Sequence, residues 1–154
     1  MALSLEEGEE RISTFVTMAR KSGLRITPQR LEIFREVAFA TEHPDVEAVF
    51  ASVRTRMPTV SLDTVYRTLW WLKDSGLVSL IGAGKGGTRF DPNTKAHHHF
   101  VCLRCGSIQD FYDSCLDSLE IPTQAELLGA VQGVNVEVRG ECKLCLAKAA
   151  LEGA

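Results

Sequence analysis

Four of the five cysteines in this 154-residue chain form two C-x-x-C pairs, Cys102/Cys105 and Cys142/Cys145, with 36 residues between the pairs. Two residues between ligands let both sulfurs of a pair face one ion. Two such pairs predict four thiolates around a single Zn²⁺ in a tetrahedron. A closed four-sulfur shell leaves no position for substrate. Its work is therefore structural, because the binding energy of such a site is folding energy. One C-x-x-C alone would equally suit a redox motif; two together favour the metal. Cys115 is left over and reads as a small core hydrophobe.

A second constellation uses harder ligands. Three of the four histidines are consecutive, His97-His98-His99, and the fourth is His43. Residues two apart on a strand share a face, so His97 and His99 act together while His98 points away. Asp110 follows the first cysteine pair at a spacing that lets a hairpin bring it beside His99. Asp91 precedes the triplet, and His43 sits at a helix break before Pro44. Two or three imidazoles with two carboxylates suit Fe²⁺, Mn²⁺ or Zn²⁺. The competing reading is a polar surface strand. An appended tag is disfavoured, because the triplet is internal and runs into Phe100-Val101-Cys102.

These side chains need elements to hold them. Helical spacing of Ile12, Phe15, Val16 and Ala19 predicts a helix over 6–22, stopped at Gly23. Thr27 caps a second helix with Pro28 at its first position, carrying Leu31, Phe34, Val37 and Ala38 inward. A third runs over 45–55 with Val46, Val49, Phe50 and Val53 inward. Ser61 caps a fourth, Leu62 to Asp74, ended by Gly76. Leu62, Val65, Leu69 and Leu72 form its core stripe, leaving Thr64, Tyr66, Arg67 and Thr68 on or near the other side. One of Trp70 and Trp71 is expected to pack under the hairpin that follows. That hairpin is a strand over 77–81, a glycine-rich turn through Gly82, Gly84, Gly86 and Gly87, and a return strand over 88–91. Helices followed by a hairpin make the winged helix-turn-helix pattern, with the fourth helix as the candidate reader of a major groove. Beyond residues 92–95 the pattern predicts a short hairpin (99–103 and 107–111), a helix within 116–130 interrupted at Ile121-Pro122, a strand over 131–138 and a closing helix over 143–151. So small a sheet needs a partner, and a second copy is the expected one.

Charge divides along the same line. The net charge is −3, yet residues 11–89 hold 12 Lys and Arg against 7 Asp and Glu, and residues 91–154 hold 5 against 9. A basic module followed by an acidic one suits a polyanion partner for the first. No apolar run reaches the ~20 residues of a spanning helix. The acidic start MALSLEEGEE lacks the pattern of a secretory signal, so a cytoplasmic protein without membrane partners is expected.

Together these residues resemble the ferric uptake regulator (Fur) family of metal-dependent repressors. The motifs are G-L-R-I-T-P-Q-R at 23–30, E-H-P at 42–44, S-L-D-T-V-Y-R-T-L at 61–69, S-G-L-V at 75–78, R-F-D at 89–91, A-H-H-H-F-V-C-L-R-C-G at 96–106 and C-K-L-C at 142–145. The resemblance implies an α+β homodimer on double-stranded operator DNA. Its winged-helix domain would span 1–90, a hinge 91–95, and a small α/β dimerisation and metal-sensing domain 96–154. It implies structural Zn²⁺ on Cys102, Cys105, Cys142 and Cys145, and a regulatory Fe²⁺ or Mn²⁺ on His43, Asp91, His97, His99 and Asp110. It places DNA contacts on Tyr66 and Arg67, with Arg25 in a minor groove; the helix pattern adds Thr64. Asp rather than Glu at 91 and 110 looks like the peroxide-responsive branch, in which the histidine matching His43 or His97 is oxidised. Arg67 is more like iron-responsive members. An iron- or zinc-responsive repressor without peroxide sensing is therefore the alternative. The strand through 133–138 lacks the histidine many members use in a third metal site, so none is expected there.

Two other classes explain less. A zinc hydrolase would need an open coordination position and a spare general base, and the ligand set leaves neither. A metal-storage or protein-interaction module leaves Ser61 to Leu69 and the basic bias of residues 11–89 without a purpose.

Overall fold

In a computed structural model of the chain, the described residues are 5–84, 87–131 and 134–152. They form two compact units, one running to Thr94 and one from Lys95 onward.

The first unit holds four helices and a hairpin: α1 (Leu5–Lys21), α2 (Pro28–Ala38), α3 (Val46–Arg56), α4 (Leu62–Asp74), β1 (Ser79–Gly84) and β2 (Gly87–Asp91). Three caps set the starts. Thr27 accepts from the Arg30 N–H, Asp45 from Ala48 and Ser61 from Thr64, each satisfying a donor that the first helical turn leaves open. Gly76 has φ +70°, the left-handed geometry that ends α4 and turns the chain toward β1. Phe15, Ile33, Phe34, Val37, Val49, Val53, Val65, Leu69, Leu72 and Phe90 are buried together. Phe15 and Phe34 stack at 4.5 Å, and Trp71 meets Phe15 edge-on at 5.8 Å. β1 and β2 pair antiparallel, with Leu80 opposite Phe90 and Ser79 opposite Asp91. This is the expected winged-helix arrangement.

Two positions on α4 depart from the predicted stripe. Leu62 is exposed, and Thr68 is buried with its hydroxyl donating to the Thr64 carbonyl at 2.7 Å. That bond back to the preceding turn lets a threonine sit on the core side without an unsatisfied hydroxyl. Leu62, at the first position, lies past the edge of the core.

The second unit holds β3 (His98–Cys102), β4 (Ile108–Phe111), α5 (Ser114–Asp117), α6 (Thr123–Glu126), β5 (Glu137–Gly140) and α7 (Lys143–Glu152). Its sheet has the order β4-β3-β5, with β3 antiparallel to β4 and parallel to β5. The helix expected within 116–130 is instead two single turns. Asp113 caps the first, and Pro122 stands at the N-cap of the second. A proline there cannot continue the first turn's hydrogen bonding. The last strand starts later than expected, at Glu137, because only residues 137–140 lie alongside β3. The tip of the glycine-rich turn (85, 86) and residues 132 and 133 of the expected strand lie outside the described residues. Among the described residues no helix is long and apolar enough to cross a membrane.

Candidate metal centres and nucleic-acid face

The four paired cysteines converge at one end of the sheet. Cys102 ends β3, and Cys105 follows in a tight turn closed by the Gly106 N–H on the Cys102 carbonyl at 2.9 Å. Gly106 has φ +74°, which that turn requires. Cys142 follows β5 and Cys145 lies in the first turn of α7. The sulfurs of all four lie within 4.8 Å of one another. Cys102 and Cys145 are 3.8 Å apart, as are Cys105 and Cys142. Four thiolates about 2.3 Å from zinc form a tetrahedron with edges of about 3.8 Å, so the set fits the ion. The N–H groups of Cys105 and Cys142 point at the Cys102 sulfur, at 3.5 and 3.3 Å. These donors, Cys105 first, hold the Cys102 thiol down to about 6 from an ordinary 9.0. Burial pushes Cys145 the other way. Cys115 is exposed on α5 and is not the core residue expected of it.

The harder candidate ligands fall into two groups, one in each unit: His43, Asp91 and His99 are buried, His97 is half-buried and Asp110 is exposed. In the first unit, His43 Nε2 lies 3.7 Å from Asp91 Oδ1, with both side chains buried. The strand β2 fixes this half. The Phe90 N–H donates to the Pro44 carbonyl at 2.9 Å, and the Arg89 guanidinium reaches the His43 carbonyl at 3.4 Å and Asp45 at 3.4 Å. Asp91 itself accepts from the Asn93 N–H at 2.8 Å and from the Ser79 hydroxyl at 3.3 Å. Such outer partners orient a ligating carboxylate.

In the second unit, His97 Nε2 and His99 Nε2 are 2.9 Å apart. Two nitrogens about 2.1 Å from one ion and at about a right angle would be separated by about 3.0 Å. The Asp110 Oδ1 lies 3.8 and 3.7 Å from those nitrogens, because β3–β4 pairing sets Asp110 opposite His99. His97 Nδ1 sits 2.7 Å from the Lys95 carbonyl. A proton on Nδ1 satisfies that carbonyl and leaves the Nε2 lone pair for a metal.

His98 points to the other face of β3. It is buried, its Nε2 lies 3.1 Å from Asp117, and its ring lies 5.5 Å from Phe111. The sequence reading left His98 without a partner. Asp117 becomes one only because α5 is a single turn that brings it back over the sheet, and no periodicity signals that.

The candidate DNA-contacting residues are all in the first unit. Tyr66 and Arg67 are exposed on α4, and Arg67 is held by Asp63 at 3.0 Å. Thr64 is half-buried beside its cap, its hydroxyl 2.9 Å from that of Ser61. Arg25 is exposed between α1 and α2, and its carbonyl accepts from Arg30 at 2.7 Å.

Residues 21–138 match the sequence profile of the Ferric uptake regulator family. The chain belongs to that family. The peroxide-responsive repressor PerR of Staphylococcus epidermidis is 34% identical to this Fur-family chain over 145 residues, covering 94% of this chain and 97% of the relative. Among solved structures, the ferric uptake regulator Fur of Helicobacter pylori superposes with a TM-score of 0.76 at 26% identity. That match covers 94% of this chain and 97% of the other. The Campylobacter jejuni peroxide stress regulator gives 0.67 at 30% identity, over 84% and 98%. As a Fur-family protein the chain is a metal-responsive transcriptional regulator and not an enzyme.

Proposed function

We propose that this chain is a cytoplasmic, dimeric repressor that binds operator DNA when Fe²⁺ or Mn²⁺ fills its regulatory site, and that it senses peroxide. Zn²⁺ on Cys102, Cys105, Cys142 and Cys145 would hold the second unit together. The observation that carries the reading is the division of the hard ligands into two close-set groups, one in each unit. His43 and Asp91 belong to the unit with α4, while His97, His99 and Asp110 belong to the other. One ion shared by both halves would fix the recognition helices of a dimer at the spacing of two half-sites. It favours the DNA-binding state only through its higher affinity for that state. Exposed Leu127, Leu128, Leu144 and Leu146 in the second unit support a second copy as partner.

Arg25, Thr64, Tyr66 and Arg67 are the proposed DNA contacts. A hydroxyl or phenol meets phosphates or base edges, and a guanidinium takes guanine through two bonds. Residues 91–95 serve as the hinge.

Peroxide sensing rests on aspartate at both carboxylate positions and on the peroxide-responsive repressor among the relatives. Fe²⁺ held by these residues would supply the redox chemistry by which hydrogen peroxide oxidises a ligand histidine, one oxygen passing to the ring and the other leaving as water; Mn²⁺ would not. The expected result of brief peroxide treatment of the Fe²⁺-loaded protein is one added oxygen atom on His43 or His97, read by peptide mass spectrometry, with loss of DNA binding. Mn²⁺-loaded protein should stay unmodified. Intact histidines, with DNA release that follows Fe²⁺ removal alone, would mark an iron-responsive repressor, the reading that Arg67 favours.

A further inference from the structure

The helix α4 carries two adjacent tryptophans, and Trp71 meets Phe15 of the Phe15–Phe34 stack. Trp70 does something different. Its indole N–H donates to the Tyr66 hydroxyl at 2.7 Å, one helical turn back. The two rings meet edge to face at 5.3 Å. On its other side Trp70 lies 5.4 Å from Phe90. Phe90 is fully buried and precedes Asp91 in β2, and its N–H holds the Pro44 carbonyl beside His43. The hydroxyl of an exposed tyrosine is thus tied, through one indole, to the strand that carries a regulatory ligand.

The proton inventory gives this bond a direction. An indole N–H only donates, so the Tyr66 oxygen must accept. Its own single proton is then left for another acceptor. A phenol that accepts one bond is also a stronger donor in the next. Phosphate oxygens and the acceptor edges of guanine, adenine and thymine are what a major-groove helix meets. Tyr66 is 46% exposed, so burial alone does not fix its ring, and ordering a free phenol on binding would cost affinity.

We propose that Trp70 is a positioning residue for DNA recognition, holding the Tyr66 hydroxyl as an outward-facing donor and joining it through Phe90 to the Asp91 end of β2. The proposal rests on the reading of α4 as the recognition helix.

The test uses the full chain loaded with Zn²⁺ and Mn²⁺ and a duplex selected by it from a random-sequence pool. Trp70→Phe keeps a ring against Phe90 and removes the N–H. It should weaken binding about fivefold, as loss of one neutral hydrogen bond does. Tyr66→Phe should weaken it at least as much. Adding Trp70→Phe in the Tyr66→Phe background should cost nothing more. Equal losses in both backgrounds, or none in either, would overturn the proposal. A measurement that needs no tryptophan variant is exchange of the Trp70 indole proton. It should be slow in the wild-type chain and faster in Tyr66→Phe; equal rates contradict the bond. If the wild-type chain selects no duplex, the recognition-helix reading itself fails, and this inference fails with it.

Discussion

Cys142→Ser should strip zinc from the protein and unfold the unit from Lys95 onward, while leaving the winged-helix unit folded. The described buried apolar residues of the second unit are Cys102, Cys142 and Cys145, with Phe100 packed against them. Three short strands and three helices around so small a core do not stand alone. Structural zinc contributes about 10–16 kcal/mol at neutral pH in small zinc-dependent domains, which is enough to decide whether such a unit folds. A serine in place of one thiolate removes a ligand and the charge that zinc requires. The first unit keeps its own core around Phe15, Phe34 and Leu69 and should melt separately. Zinc analysis by mass spectrometry and circular dichroism during heating check this. The expected outcome is zinc near zero, with one melting transition retained and one lost. A variant that melts like the wild type contradicts a structural role for the site.

Acid should reach the same end by degrees. Cys102 is held down to about 6 by the Cys105 and Cys142 N–H groups. A thiol depressed in the folded state contributes stability above its ordinary value, and that contribution is lost as pH falls through the folded one. Protons also compete with zinc for all four sulfurs. Zinc release should therefore rise as pH falls, and at a lower pH than the metal-free thiol titrates, because protons must displace the bound ion.

His43→Ala should abolish metal-dependent DNA binding without disturbing the zinc-held dimer. His43 belongs to the unit with the recognition helix, while His97, His99 and Asp110 belong to the other. On the proposed ligand set, His97, His99 and Asp110 would still hold an ion after the change, but that ion would no longer distinguish the DNA-binding arrangement from others. A ligand with equal affinity for both states shifts nothing, however tightly it binds. The expected loss of operator affinity in Mn²⁺ is about 100-fold, since apparent affinity scales with the competent fraction and that fraction would fall from about 99% to about 1%. Zinc content and dimer mass should match the wild type. Full Mn²⁺-dependent binding by His43→Ala would remove His43 from the switch.

Much of the fold was legible because its signals are local. Thr27-Pro28 and Ser61 each mark a helix start by their own hydrogen-bonding chemistry and act as N-caps; Asp45, read as the first residue of the third helix, is its N-cap. The cysteine spacing is local within each pair, and zinc joins the pairs. The placement of Asp110 beside His99 followed from the hairpin, since a turn at Cys102–Gly106 leaves few registers. The rest depended on contacts between distant segments. Thr68 looked like a surface residue by type, and only its bond to the Thr64 carbonyl lets it be buried. The segment 114–126 has helical composition but breaks into two turns, because Pro122 interrupts the hydrogen bonding and no core lies beneath to enforce a longer helix. Cys115 was placed in the core by its usual preference, and α5 carries it outside. The partner of His98 is set by tertiary geometry that no period encodes, whereas Tyr66 and Trp70 stand four apart on one helix and are neighbours by its period.

Under the proposed function, one regulatory ion converts a zinc-held dimer into a DNA-binding one. The most direct test of that conversion is the affinity of the zinc-loaded, otherwise metal-free chain for its selected duplex, measured by fluorescence anisotropy with and without Mn²⁺. Tight binding that appears only with Mn²⁺, and that chelation reverses while zinc stays bound, is the predicted result. Equal affinity in both conditions would contradict it.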